Sequence, residues 1–209
     1  MPNLRVFPLP GVVLMPGANL PLHVFELRYR AMVADAVAGD GLICVAQIVE
    51  GQESAQLGAP EVYPYAGVGR IVSHEGLPDG RSNIVLAPAG RVRLGRERGS
   101  TAAWRSFEAE VLPEVNAADP RLALVGERLL GLVAPIFRRF GARGEVLAKS
   151  LATLPVASVP AALAPLLVRE SAARQEYLAE DDAYRRAELV EAALFAVFAE
   201  SRVNQAAEA

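Results

Sequence analysis

Four prolines and two glycines are crowded into residues 4–30 of this chain, and they limit what it can become. Pro8, Pro10, Pro16 and Pro21 each fix φ and lack an amide donor. They confine Val12–Met15 and Leu20–Phe25 to short extended pieces, separated by turns at Pro10-Gly11 and Pro16-Gly17. After Phe25-Glu26 the period changes. Tyr29, Met32, Val33, Ala36 and Val37 recur with helical spacing, which predicts a helix with one apolar face. Gly39-Asp40-Gly41 should stop it, because glycine tolerates the left-handed cap conformation. A strand running straight into a helix is therefore expected at Leu20 to Arg30.

The run FPLPGVVLMPGANLPLHVFELRYRAMV resembles the opening of the substrate-recognition domain of Lon-type ATP-dependent proteases. That pattern is Phe-Pro-Leu, a hydrophobic strand ending in Phe/Met-Pro-Gly, then Pro-Leu-x-Ile-Phe-Glu-x-Arg-Tyr. Phe7, Pro8, Leu9, Met15, Pro16, Gly17, Pro21, Leu22, Phe25, Glu26, Arg28 and Tyr29 carry it here. Further on, GRIVSHEGLPDGRSNIVL is similar to the family's Gly-Arg-Ile hairpin. One departure stands out: Ala87-Pro88 occupies the place of a common Arg-Gly pair, and Pro88 cannot donate to a ladder.

The remaining chain divides by period. Leu42–Val49 is nearly continuous apolar and β-branched, as in a strand covered on both faces. Gly51 to Pro60 reads as a polar loop. Val62–Ser73 carries Gly67 and Gly69, which mark a bend or a close backbone approach. Pro78-Asp79-Gly80 supplies a hairpin turn before a return strand at Ser82–Leu86. Arg91–Leu94 and Phe107–Val111 alternate, so Arg91, Arg93, Glu108 and Glu110 are expected on a wet face.

From Asp119-Pro120, an N-cap followed by a good first helical residue, the pattern is helical. A long stripe from Leu122 through Leu132 to Phe140 precedes shorter helices around 144–153, 161–167 and 171–178. A last helix spans about 182–200, with 204–209 fraying. Periodicity alone yields an α+β protein. The resemblance adds an N-terminal PUA-like β-barrel over 1–118, then a C-terminal helical bundle over 119–209, packed with the first as one unit.

Composition narrows the function. Net charge is −3, with 10 arginines against 12 acids in residues 1–118 and 11 basic residues against 12 acids thereafter. Neither part is the basic footprint that phosphate binding requires. The single Cys44 excludes an internal disulfide and suits a reducing compartment. The start lacks the marks of a signal peptide, and no apolar run reaches the roughly 20 residues that span a bilayer. The expectation is a cytoplasmic protein with no membrane partner.

No catalytic group emerges. The phosphate-cradling Gly-x-x-x-x-Gly-Lys-Ser/Thr loop is absent, and Gly67-Val68-Gly69 lacks the third glycine of a dinucleotide fingerprint. Lys149 and Ser150 are adjacent on a predicted helix and so diverge. His23, His74 and Cys44 make no metal-binding cluster. Trp104, Tyr63 and Tyr65 read as core or groove aromatics. Glu26 is expected to accept amides at the helix start while Tyr29 packs inward.

The resemblance thus implies a non-enzymatic recognition module without cofactors, binding unfolded or degron-bearing polypeptide and partnering an ATP-dependent protease. Its expected contact surface is the apolar opening stretch, represented by Leu14, Met15 and Leu20. The alternative is an RNA-binding PUA-like protein, which the charge balance disfavours.

Overall fold

A computed structural model describes residues 3–52, 59–99, 101–138 and 140–207. The chain resolves into two compact units. Unit 1 comprises residues 1–113 together with Arg174–Ala179, and unit 2 comprises Glu114–Ala173 with Glu180–Ala209.

Unit 1 holds strands β1 (Leu4–Pro10), β2 (Leu20–Val24), β3 (Leu42–Ile48), β4 (Tyr65–Gly76), β5 (Ser82–Arg98) and β6 (Arg105–Val111). Helix α1 (Leu27–Ala38) lies between β2 and β3. The sheet order is β2-β5-β4-β3-β1-β6, and β5 also pairs with β6. The pairings therefore return on themselves through β5, β4, β3, β1 and β6, with β2 added on the flank of β5. β1 and β3 run parallel; the other pairs are antiparallel.

The closed pairing follows from side chains that alternate between two apolar clusters. Each strand of the ring sends residues to one cluster: Leu4 and Val6, Cys44 and Ala46, Ala66 and Val68, Val92 and Leu94, Phe107 and Ala109. The intervening residues Phe7, Ile43 and Val45 join Tyr29, Met32, Val33 and Ala36 of α1 in the other. β1 and β3 are thus apolar on both faces, and β3 behaves as its continuous apolar run predicts. Each fully buried aliphatic or aromatic side chain stabilises by about 1.5–3 kcal/mol.

Several local expectations change. The segment after β1 is not a strand at Val12–Met15; instead its backbone runs against β4. A Cβ on Gly67 would stand 1.8 Å from the Leu14 carbonyl oxygen, so that glycine marks a close backbone approach. The return strand does not end at Leu86 but continues to Arg98. Its register shifts where Gly69 faces Pro88 and Val68 faces Gly90, so a bulge absorbs the proline. α1 stops as expected, but the left-handed residue is Gly41 at φ 71°, whose amide donates to Ala36 O at 2.8 Å. Gly39 has φ −110°.

Arg91 is the clearest correction. Predicted on a wet face, it is buried, and its guanidinium donates to Leu178 O at 2.8 Å and to Pro113 O. Arg93 and Glu110 do face one another across β5 and β6, and Arg98 pairs with Glu108 at 2.6 Å. The 174–179 segment is bound into unit 1 at further points. Gln175 exchanges two 3.1 Å bonds with the Tyr65 backbone, and Arg174 donates to Gly11 O. Tyr177 and Leu178 are buried.

Unit 2 is helical: α2 (Arg121–Arg138), α3 (Gly141–Ala152), a 3-10 turn at Val156–Ser158, α4 (Val159–Leu167) and α6 (Ala183–Ala207). α5 (Ser171–Ala179) is the helix whose Arg174–Ala179 portion belongs to unit 1. Asp119 accepts the Arg121 amide at 2.8 Å, and Asp182 caps α6 through Tyr184 N at 2.8 Å. α2 buries Leu122, Val125, Leu129 and Val133, whereas Leu132 is partly exposed and Phe140 lies outside the helix, exposed. The last helix reaches Ala207, beyond the expected fraying point. Much of the loop predicted at 51–60 lies outside the described residues. No single helix among the described residues is long and apolar enough to cross a membrane.

Candidate functional site

The opening stretch does not present the surface expected of it. Leu14 is 2% exposed and Met15 3%, so both belong to the core. Leu14 packs with Phe7, Val24 and Tyr29. Leu20 is half-buried and lies on β2. Of the three residues, only Leu20 sits where a ligand could reach it.

The apolar surface lies a few residues further on, at the β2–α1 junction. β2 pairs with β5 from Leu20 opposite Leu86 to Val24 opposite Ser82, and no strand covers its other side among the described residues. Its alternation buries Val24 and turns Pro21 and His23 outward. Phe25 continues the outward phase at 60% exposed, and Leu27 at the start of α1 is 76% exposed. An unpaired edge beside two exposed apolar side chains is an unusual combination for a surface that has no partner.

The junction is held rigidly from below. The Glu26 carbonyl accepts the amides of Tyr29 and Arg30 at 3.0 and 2.9 Å, starting the helix. The Glu26 carboxylate does not cap it; the carboxylate instead pairs with Arg28 at 2.9 Å. Arg28 lies over the Tyr29 ring at 4.6 Å, and that ring contacts Phe7 at 4.2 Å between centroids. Burial raises the Tyr29 hydroxyl pKa, with Arg28 pulling the other way. Beside the edge, His23 Nδ1 lies 2.8 Å from Asn83 Oδ1, Asn83 donates to Glu75 at 3.1 Å, and Arg81 pairs with Asp79 at 2.6 Å. The charges are matched locally, which leaves Phe25 and Leu27 as the dominant feature.

Among the described residues no three His, Cys, Asp or Glu side chains are arranged to hold a metal. Lys149 is engaged by Glu145 at 3.0 Å along α3. Cys44 is buried, and burial pushes its thiol pKa far up, away from the reactive thiolate.

Phe25 and Leu27 were legible in principle. Each is an apolar residue in the polar phase of its own element. Phe25 shares the outward alternation of Pro21 and His23, and Leu27 points away from the stripe of Tyr29, Met32, Val33 and Ala36.

Comparison with known proteins decides the lineage. The family model for the ATP-dependent protease La (LON) substrate-binding domain matches residues 3–194. This chain belongs to that Lon family. It is 30% identical over 121 residues to Lon protease 2 of Syntrophobacter fumaroxidans, covering 57% of this chain but 15% of that protein. It spans only a small part of that relative's length. The Lon N-terminal domain protein from Xanthomonas campestris superposes with a TM-score of 0.61 at 27% identity, covering 92% of this chain and 98% of that one. The N-terminal domain of Mycobacterium avium complex Lon protease has a TM-score of 0.68 at 16% identity, covering 91% and 97%, and shares the fold. The Lon resemblance in the opening stretch therefore extends over nearly the whole chain, and what matches is the substrate-binding portion, not a catalytic one.

Proposed function

We propose that this Lon-family domain is a non-enzymatic recognition module that holds unfolded or degron-like polypeptide, in partnership with an ATP-dependent protease. The observation that carries the reading is the pairing of an open β2 edge with exposed Phe25 and Leu27. Apolar side chains of a ligand would be desolvated against those two residues, while the edge backbone adds hydrogen bonds. The ring of strands is, on this reading, a PUA-like barrel. The missing phosphate loop and Ser–Lys dyad leave ATP hydrolysis and peptide cleavage to other chains or domains.

The experiment is a titration of fluorescein-labelled, reduced and carboxymethylated α-lactalbumin, alongside structured RNA, at low and high salt. Micromolar binding to the polypeptide, near −8 kcal/mol, is expected. It should survive high salt, because apolar burial is not screened. Leu27→Asp should weaken it about tenfold or more, since each tenfold is ~1.4 kcal/mol. Absence of polypeptide binding at both salts, with RNA binding that collapses as salt rises, would overturn the reading.

A further inference from the structure

β4 is longer than the neighbour that covers it. β3 pairs with it as far as Leu42 opposite Arg70, and one further bond, from Ile71 N to Gly41 O at 2.9 Å, closes that side. From Val72 to Gly76 the strand continues with β5 as its one strand neighbour among the described residues. The direction of its amides follows from the hairpin. Leu77 N donates across to Arg81 O at 2.8 Å. Alternation then turns the Glu75 amide toward β5 and the amides of His74 and Gly76 away from it. The register shift between Ile71 and Ser73 is a bulge, which is why Ile71 and His74 can both face outward.

Beside this edge lies an open groove of about 390 Å³. Val37 of α1, the Gly39–Gly41 turn, Arg70, Val72 and His74 line it. Val37 and Val72 are exposed apolar residues. The groove's charges are unequal. Asp40 is taken up by Arg5 at 2.7 Å, whereas Arg70 donates only to the Asp40 carbonyl and has no carboxylate partner among the described residues.

We propose that the Val72–Gly76 edge takes an extended, acidic segment of polypeptide by strand addition, antiparallel to β4 and in line with β3. Outward amides and carbonyls at strand spacing specify an extended backbone. Val37 and Val72 accept an apolar side chain, and Arg70 favours an acidic segment over a basic one. The inference rests on the recognition reading but uses a different surface. β2 flanks β5 on its opposite side, so the sheet β2-β5-β4 carries two open edges.

The test follows amide hydrogen exchange of the full ¹⁵N-labelled chain with and without carboxymethylated α-lactalbumin. The His74 and Gly76 amides should exchange rapidly alone and slow markedly with the probe, while the Glu75 and Leu77 amides are protected throughout. His74→Pro deletes one outward amide without removing a β4–β5 bond. It should weaken binding about three- to tenfold, the worth of one backbone hydrogen bond. His74→Ala removes the same side chain but keeps the amide, so it should bind more tightly than His74→Pro, and equal losses in the two variants would overturn the strand-addition reading. If the probe binds while the His74 and Gly76 amides exchange as before, this inference falls and the recognition reading stands. If the probe does not bind at all, both fall. The exchange measurement on the unaltered chain decides the matter even where His74→Pro disturbs folding.

Discussion

The guanidinium of Arg91 on β5 donates at 2.8 Å to the carbonyl of Leu178, a residue 87 positions later in the chain. Both groups are buried, and a second donation to Pro113 O fixes the end of unit 1. A buried cation persists only where it is fully hydrogen-bonded, so this contact defines which late residues complete the β-rich unit.

Arg91→Met should therefore destabilise the protein by about 2–3 kcal/mol, because two carbonyls lose a charged donor in a buried place. Urea denaturation followed by circular dichroism measures it. An unchanged midpoint would mean that water replaces the guanidinium without loss.

Residues 1–118 alone should lack a cooperative unfolding transition. Such a chain loses Gln175, which bonds the Tyr65 backbone twice at 3.1 Å, and the buried Tyr177 and Leu178. Adding a tethered 171–179 segment should restore part of the transition. A sharp melt of 1–118 by itself would show that the late segment is dispensable.

Glu26→Ala should cost no more than about 1 kcal/mol, the scale of an accessible ion pair, because Glu26 pairs with Arg28 and caps nothing. The denaturant midpoint checks this. A loss well above that scale would restore Glu26 to a capping role.

Acid should weaken the fold through Glu97 and Asp40. Arg105, bonded to Glu97 at 2.7 Å, holds that carboxyl below its ordinary value against the pull of partial burial. For Asp40, burial acts upward but is outweighed by the Leu42 amide and Arg5. A carboxyl whose pKa is lower in the folded state binds fewer protons there. Its contribution is complete above the unfolded value, here 4.5 for Glu97 and 3.8 for Asp40, and is lost as pH falls through the folded value. Stability measured by urea midpoint should therefore decline below about pH 4.5. Arg105→Ala should make that decline shallower while leaving the neutral range parallel to the parent.

What the sequence determined by itself is local. The turns at Gly11 and Pro16-Gly17, glycine at Gly41, the period change after Glu26 and the Asp119-Pro120 helix start act within a few residues, and turn and helix appear where those terms put them, whereas the extended piece expected at Val12–Met15 forms no strand. The Lon pattern in the opening stretch likewise survives as a string. Tertiary structure decided which apolar residues are hidden. Leu14 and Met15 are apolar residues of the same opening stretch as Phe25 and Leu27, yet the first two are core and the last two are surface. Arg91 alternates like Arg93, yet it is buried because Leu178 and Pro113 offer it carbonyls. Burial is a property of partners brought together across long separations, and no local propensity encodes which partners those will be.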